Sequence, residues 1–239
     1  MSKKCLIVGG SGDIGFSTAK LLAEKGVDVA LQYFSNKENA ERLKQHIPKE
    51  RWIGAYYGDL STMAGIQQFI HSLPEEWDML VFTPGNHIMS LHQEVSEEVM
   101  DKLYFVHIKS LWMITKQLLP SMIRRKTGSI AVVSSVWGEE GASLEAVYSS
   151  VKGAQISFVK ALAKETGPSG IRVNAVTPGF IDTPMNDIVS TSDKAMIAED
   201  IPLGRLGLSR EVAEAVFYLL GDSSSYVTGH VLKVNGGWY

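Results

Sequence analysis

The chain has 239 residues, 45% of them hydrophobic and 21% charged, with a formal net charge of −3. That composition suits one globular α/β domain, and the charge gives no electrostatic reason to bind nucleic acid or an anionic membrane surface. One cysteine, Cys5, excludes an internal disulfide, no apolar run approaches a membrane span, and the residues after Met1-Ser2-Lys3-Lys4 are too few for a signal-peptide core, so a soluble cytoplasmic protein is expected.

Short β-branched apolar runs alternate with longer amphipathic ones along the chain. Cys5 to Val8 reads as a buried strand, followed by glycines and a helix from Ile14 to Glu24. A strand over Val27 to Tyr33 precedes a helix over Lys37 to His46, and a strand over Trp52 to Tyr57 precedes a helix over Met63 to Leu73. Met79 to Phe82 is a fourth strand, and a long helical stretch, in one piece or two, runs from Ser96 to Arg125. A strand over Ser129 to Ser134 leads to a helix over Ala146 to Glu165, and a strand over Ile171 to Val176 to a helix near Glu211 to Leu220; Val231 to Val234 closes the series. This alternation predicts a single-domain α/β Rossmann-type fold over residues 1–239. Its doubly wound parallel sheet would have about seven strands, with helices on both faces. Asp182 to Gly207, with Pro184, Pro202, Gly204 and Gly207, is the least regular region, weakly helical around Asp193 to Glu199. Such a segment is either a lid over a pocket or a surface excursion.

Gly9-Gly10-Ser11-Gly12-Asp13-Ile14-Gly15 lies between the first strand and the first helix. Glycines there permit a sharp turn and close approach to a ligand, and the helix start offers free amides to a pyrophosphate. Asp13 would repel a diphosphate, so it is expected to cap the helix and point away. A dinucleotide site needs an acid at the end of the second strand to accept from the ribose hydroxyls, but Leu31 to Lys37 contains none there. Ser35, Asn36 and Lys37 could instead receive a 2′-phosphate, which favours NADP(H) over NAD(H); the alternative for Lys37 is a solvated lysine at a helix start.

Tyr148 and Lys152 stand four apart, on one face of the predicted helix, thirteen residues beyond Ser135. An ammonium beside a phenol favours phenolate, so Lys152 is expected to lower the Tyr148 pKa toward neutrality. A tyrosine so tuned exchanges a proton with an alcohol or carbonyl oxygen, and Ser135 can hydrogen-bond the same oxygen.

Ser134-Ser135-Val136-Trp137-Gly138, the Tyr148 to Lys152 motif, Asn174 to Met185, Ile201 to Gly207 and the tail Tyr226 to Gly237 together resemble the short-chain dehydrogenase/reductase family, especially its 3-oxoacyl-carrier-protein reductase-like members. The resemblance covers essentially the whole chain. It implies that Tyr148 is the general acid/base, that Lys152 lowers its pKa and bonds the nicotinamide ribose, and that Ser135 orients the carbonyl. It also implies a cofactor site of Gly9, Ser11, Gly12, Asp13, Ile14 and Gly15, with Asp59 and Leu60 at the adenine, Gly85 beside the adenine ribose, and Pro178, Gly179, Ile181 and Thr183 at the nicotinamide. The implied activity is interconversion of a carbonyl and a secondary alcohol by an NAD(P)-dependent enzyme, with a small-molecule carbonyl or alcohol substrate and assembly as a dimer or tetramer through the two long helices and the C-terminal strand.

Three departures stand out. The glycine turn has Val8 where the family has threonine and Asp13 where it has glycine, leaving Gly12 to supply the flexible site. Phe82-Thr83-Pro84-Gly85 replaces Asn-Asn-Ala-Gly, which should weaken the bracing of that strand end, with Thr83 bonding locally. His107 stands where an asparagine usually completes a catalytic tetrad. It either holds a relay water with its imidazole or is a packed helix histidine satisfied by a local carbonyl. No histidine pair has metal-ligand spacing, so no metal is expected. Trp137, Leu144 and Met185 are either pocket-lining or core residues. The alternative to an enzyme is a nucleotide-binding sensor on the same fold with weak or no turnover.

Overall fold

The computed structural model describes residues 2–186 and 189–239, apart from the Met185 side chain. In chain order its elements are β1 (Lys4–Val8), α1 (Asp13–Glu24), β2 (Asp28–Tyr33), α2 (Lys37–His46), β3 (Trp52–Tyr57), α3 (Met63–Ser72), β4 (Met79–Phe82) and α4 (Glu97–Tyr104). A π-turn (Phe105–Lys109) joins α4 to α5 (Ser110–Arg125). There follow β5 (Gly128–Val133), α6 (Trp137–Glu140), α7 (Ala146–Thr166), β6 (Ile171–Pro178), α8 (Thr191–Asp200), α9 (Ser209–Leu220) and β7 (Val231–Val234).

The strands form one parallel sheet in the order β3-β2-β1-β4-β5-β6-β7, so the winding direction reverses between β1 and β4. Alternation along β1 explains the layers. Leu6 and Val8 pack with Phe69 of α3, Leu111 of α5 and Val159 of α7 on one face. Cys5 and Ile7 pack with Leu22 of α1, Leu43 of α2 and Val216 of α9 on the other. Both faces are covered, which is why the strands read as continuous apolar runs rather than alternating ones.

The long central helix is a continuous rod rather than two pieces, with its irregularity taken up by the π-turn. Strand β6 runs two residues past its expected end, to Pro178, whose carbonyl accepts from Val136 N at 3.0 Å. The short α6 was not legible in sequence, because four residues are too few to show a helical period.

Candidate active site

The ends of β1 and β4 diverge at the reversal point, where a crevice opens above a sheet of this winding. Beyond β1 the chain turns through Gly9 at φ +78°, and a Cβ there would lie 2.7 Å from the Pro84 backbone. The positive φ therefore falls on Gly9 and not on Gly12, which at φ −80° is extended and occupies the N-cap position of α1. Asp13 does not cap the helix as expected. It is the first helical residue and, with Gly12 already in the cap position, it makes no cap bond. No side chain caps α1, so its first amides and its dipole remain available to an anion.

This turn borders a cavity of about 720 Å³ lined by Gly9, Ser11, Gly12, Asp13, Ile14, Gly15, Ser35, Asn36, Asp59, Leu60 and Gly85. Lys37 is not among them; it lines a separate hollow with Tyr33, Glu41 and Lys44. The Asn36 carboxamide caps α2 by accepting from Asn39 N at 2.9 Å. Lys37, the first helical residue, is thereby rotated by about 100° to another face. Asp59 Oδ1 accepts from Ser61 N and Oγ at 2.9 and 2.7 Å.

The expected weakening of the β4 end is offset by two side chains. Thr83 Oγ1 donates across to Val8 O at 2.9 Å and lies 3.3 Å from Gly9 O, so it bonds between strands rather than locally. Buried Gln32 accepts from Gly9 N at 2.8 Å and donates to Gly58 O at 2.7 Å, tying the glycine turn to the end of β3. Sequence reasoning missed Gln32. Its only signal was a polar residue inside an apolar strand run.

A second cavity, of about 580 Å³, shares Ile14, Thr83, Pro84, Gly85 and Thr183 with the first, so the two form one cleft. Ser135, Tyr148, Lys152, Pro178, Gly179 and Ile181 line it. Ser135 lies two residues beyond the end of β5, and Tyr148 and Lys152 are one turn apart on α7. Ser134 Oγ donates to Lys152 O at 2.9 Å, pinning α7 to the end of β5. The Lys152 ammonium donates to Val133 O at 3.1 Å and lies 5.6 Å from the Tyr148 ring centre.

The expected fall of the Tyr148 pKa toward neutrality is not found. Burial pushes the phenol above its ordinary value, the Glu145 carboxylate pushes the same way, and a hydrogen bond with Ser135 opposes both. Burial also brings the Lys152 ammonium down to about 7. Dry surroundings penalise both charges, so near neutral pH the phenol holds its proton and the ammonium is partly discharged.

His107 sits in the π-turn, fully buried, with its ring edge-on to Tyr148 at 5.7 Å. Its Nε2 lies 2.9 Å from Asn86 O, a carbonyl acceptor, so Nε2 carries the proton and Nδ1 is an acceptor. That Nδ1 is buried without a partner among the described residues. Burial, then the nearby Lys152 charge, push the imidazole down to about 3, so it is neutral. The His107 carbonyl accepts from Gln155 Nε2 of α7 at 2.9 Å.

Trp137 lines the cavity, but Leu144 is 40% exposed and does not, and the Met185 side chain lies outside the described residues. Trp238 lines it unanticipated. The terminal residues fold inward, with the Trp238 and Tyr239 rings 5.2 and 5.4 Å from that of Trp137. The Asp182 to Gly207 excursion is closed at its base by the Ile181–Gly207 bridge, and Val189, Asp193 and Ile197 from it line the cavity. Among the described residues, no group of His, Cys, Asp and Glu converges as metal ligands, and no helix is long and apolar enough to cross a membrane.

Residues 10–239 match the family described as enoyl-(acyl carrier protein) reductase. The chain is 43% identical to the uncharacterized oxidoreductase YmfI of Bacillus subtilis (strain 168) over the full length of both. It is 33% identical to the 3-oxoacyl-[acyl-carrier-protein] reductase FabG of Chlamydia trachomatis, over 99% of this chain and 97% of that one. The crystal structure of acetoin dehydrogenase from Enterobacter cloacae superposes with a TM-score of 0.90 at 28% identity, over 100% of this chain and 96% of that one. With the sheet order, the glycine turn and full-length likeness pointing the same way, this chain belongs to the short-chain dehydrogenase/reductase family and is an oxidoreductase acting on CH–OH and carbonyl groups.

Proposed function

We propose that the whole chain, as one nucleotide-binding domain, reduces a small-molecule carbonyl with Tyr148 as the general acid, and runs the reverse oxidation by the same groups. The observation that carries this is the convergence of the Ser135 hydroxyl, the Tyr148 phenol and the Lys152 ammonium on one wall of a cleft that continues to the glycine turn. The nucleotide end fits a dinucleotide: Gly9 turns the chain at positive φ hard against the Pro84 backbone, where a Cβ would clash, and the uncapped first amides of α1 suit a diphosphate.

The nicotinamide supplies the hydride when bound. Ser135 Oγ–H holds the carbonyl oxygen, and Tyr148 Oη gives it a proton as negative charge develops. A phenol kept protonated by burial suits that direction. Lys152 faces the ring of Tyr148 and restores its proton, and the open Nδ1 of His107 holds the water that links Lys152 to solvent. The retained trio disfavours the sensor alternative. NADP(H) is proposed over NAD(H): no carboxylate ends β2, and Ser35 and Asn36 offer donors at the ribose side of the cavity. Lys37, facing elsewhere, adds nothing to that preference. The single buried cysteine, whose thiol burial makes less acidic, fits a reducing cytoplasm, and a dimer or tetramer through α4, α5, α7 and β7 is proposed.

Titration with NADPH against NADH, then a carbonyl panel with the tighter cofactor, tests the reading. Tyr148→Phe should reduce turnover at least a hundredfold, in line with general-acid contributions, with nucleotide affinity retained. Persistent turnover in that variant would remove Tyr148 from the chemistry.

A further inference from the structure

Two carboxyls line the substrate cavity, and neither is used by the proton transfers above; that of Asp193 accepts from Ser190 Oγ at 2.7 Å. Glu145 lines the cavity together with Ser135, Tyr148 and Trp238. It lies three residues before Tyr148 and close enough to push electrostatically on the phenol. It occupies the N-cap position of α7, where a short polar side chain would accept an amide, yet it makes no cap bond. Its carboxylate has no hydrogen bond or ion pair with any described residue. Lys152 is the only cation lining this cavity among the described residues, and it donates to Val133 O.

The turn before Glu145 is built to place it. Leu144 has φ +66°, a left-handed conformation that a leucine adopts only where its neighbours enforce it, and its carbonyl accepts from Ser90 N at 2.8 Å. The result sends Leu144 toward solvent and puts Glu145 in the cavity wall. An acid at a helix start is favoured by the dipole, but that alone would not require a strained turn or an unbonded carboxylate. Half-burial raises the carboxyl above its ordinary pKa, consistent with a group lacking a cation partner.

We propose that Glu145 is a substrate-recognition carboxyl and that the preferred substrate bears a hydrogen-bond donor, a hydroxyl or a protonated amine, close to its reacting carbonyl. This rests on the carbonyl-reduction reading above. A carboxylate only accepts, so an O–H or N–H group satisfies it, whereas a plain alkyl ketone leaves it desolvated without a partner. Discrimination then comes largely from the penalty on the wrong substrate. Met89, Trp137 and Trp238 supply apolar walls for the rest of the molecule.

Three ketones of matched size test this: 2-butanone, hydroxyacetone and aminoacetone, each with the preferred reduced nucleotide, against wild type, Glu145→Ala and Glu145→Gln. Glu145→Ala should lose about tenfold more kcat/KM on the two donor ketones than on 2-butanone, chiefly through KM, the scale of one hydrogen bond to a charged group. Glu145→Gln keeps an acceptor oxygen without charge. Retention of the hydroxyacetone preference in it assigns the donor to a hydroxyl, and selective loss on the amine assigns it to an ammonium. If Glu145→Ala folds poorly, Glu145→Leu, which removes both acceptor oxygens at closer bulk, carries the comparison. Equal losses on all three ketones, in a variant whose thermal unfolding matches wild type, overturn the proposal and leave carbonyl reduction standing. No reduction of any ketone by wild type overturns that reading and this inference together.

Discussion

At His107 a change of one residue type moves the proton problem. An imidazole with Nε2–H committed to Asn86 O and Nδ1 buried without a partner among the described residues is a half-satisfied ring beside Lys152. Such an atom is costly unless it holds something, and a water bridging to the ammonium would satisfy it. His107→Leu removes the acceptor at similar volume, so turnover should fall roughly tenfold or more, the scale of a lost relay contact, with nucleotide Kd unchanged. His107→Asn should restore part of the loss, which a purely packing role would not predict. Stability gives an independent readout. The folded imidazole titrates near 3 and the unfolded one near 6.5, so between those values the unfolded chain binds more protons. Stability contributed by neutral His107 is thus full above 6.5 and lost as pH falls toward 3, with a slope of up to about 1.4 kcal/mol per pH unit. Other shifted groups, His87 and Glu211 among them, give both proteins a slope across that window, so denaturant unfolding should be steeper in wild type than in His107→Leu by the His107 contribution; parallel curves would sink the assignment.

The ends of β1 and β4 show how an element survives loss of its usual braces. Thr83 Oγ1 and Gln32 between them hold the N–H and C=O of Gly9, so the turn is fixed from both sides. Thr83→Val keeps the shape and removes the donor, leaving the strand-end carbonyls short of one bond, about 1 kcal/mol. Nucleotide affinity should weaken about fivefold and Tm fall by about 2–4 °C. Isothermal titration and calorimetry check both, and an unchanged Kd would place the bracing elsewhere. This level was the hardest to read from sequence. Strands and helices were legible because burial on both faces writes apolar runs and 3.6-residue periods directly into the chain. Tyr148 and Lys152 were legible because spacing on one helix translates into adjacency, and Ser135 through the Ser134–Gly138 motif of the family resemblance. What sequence hid was non-local or geometric: Gln32 reaching from β2 to two other segments, Lys37 rotated out by its own cap, and Trp238 folding back on Trp137. The Tyr148 pKa was misjudged for the same reason, since spacing reveals a neighbouring charge but not the desolvation that outweighs it.

For the molecule as a whole, the remaining exposed surface carries the argument about assembly. The sheet ends at β3 and β7, each paired on one side among the described residues, so both outer strand edges stay open. The outer face of the long central rod presents Tyr104 and Trp112, 38% and 40% exposed, with their rings 6.1 Å apart and Phe158 of α7 packed 6.4 Å from Trp112. A contiguous aromatic face spanning α4, α5 and α7 is costly in water and suited to a second copy of the same face, because a two-fold contact is self-complementary. None of these three aromatics lines the cleft, so a charge placed there tests assembly without entering the chemistry. In sedimentation at micromolar concentration the wild-type chain should travel as a dimer or tetramer. Trp112→Glu, which buries a carboxylate at the centre of the contact, should shift it to smaller species, since an uncompensated interfacial charge costs about 3–5 kcal/mol, or roughly two to three and a half orders of magnitude in Kd. A wild-type monomer, or an unshifted variant, would move the interface to the β7 edge or remove it.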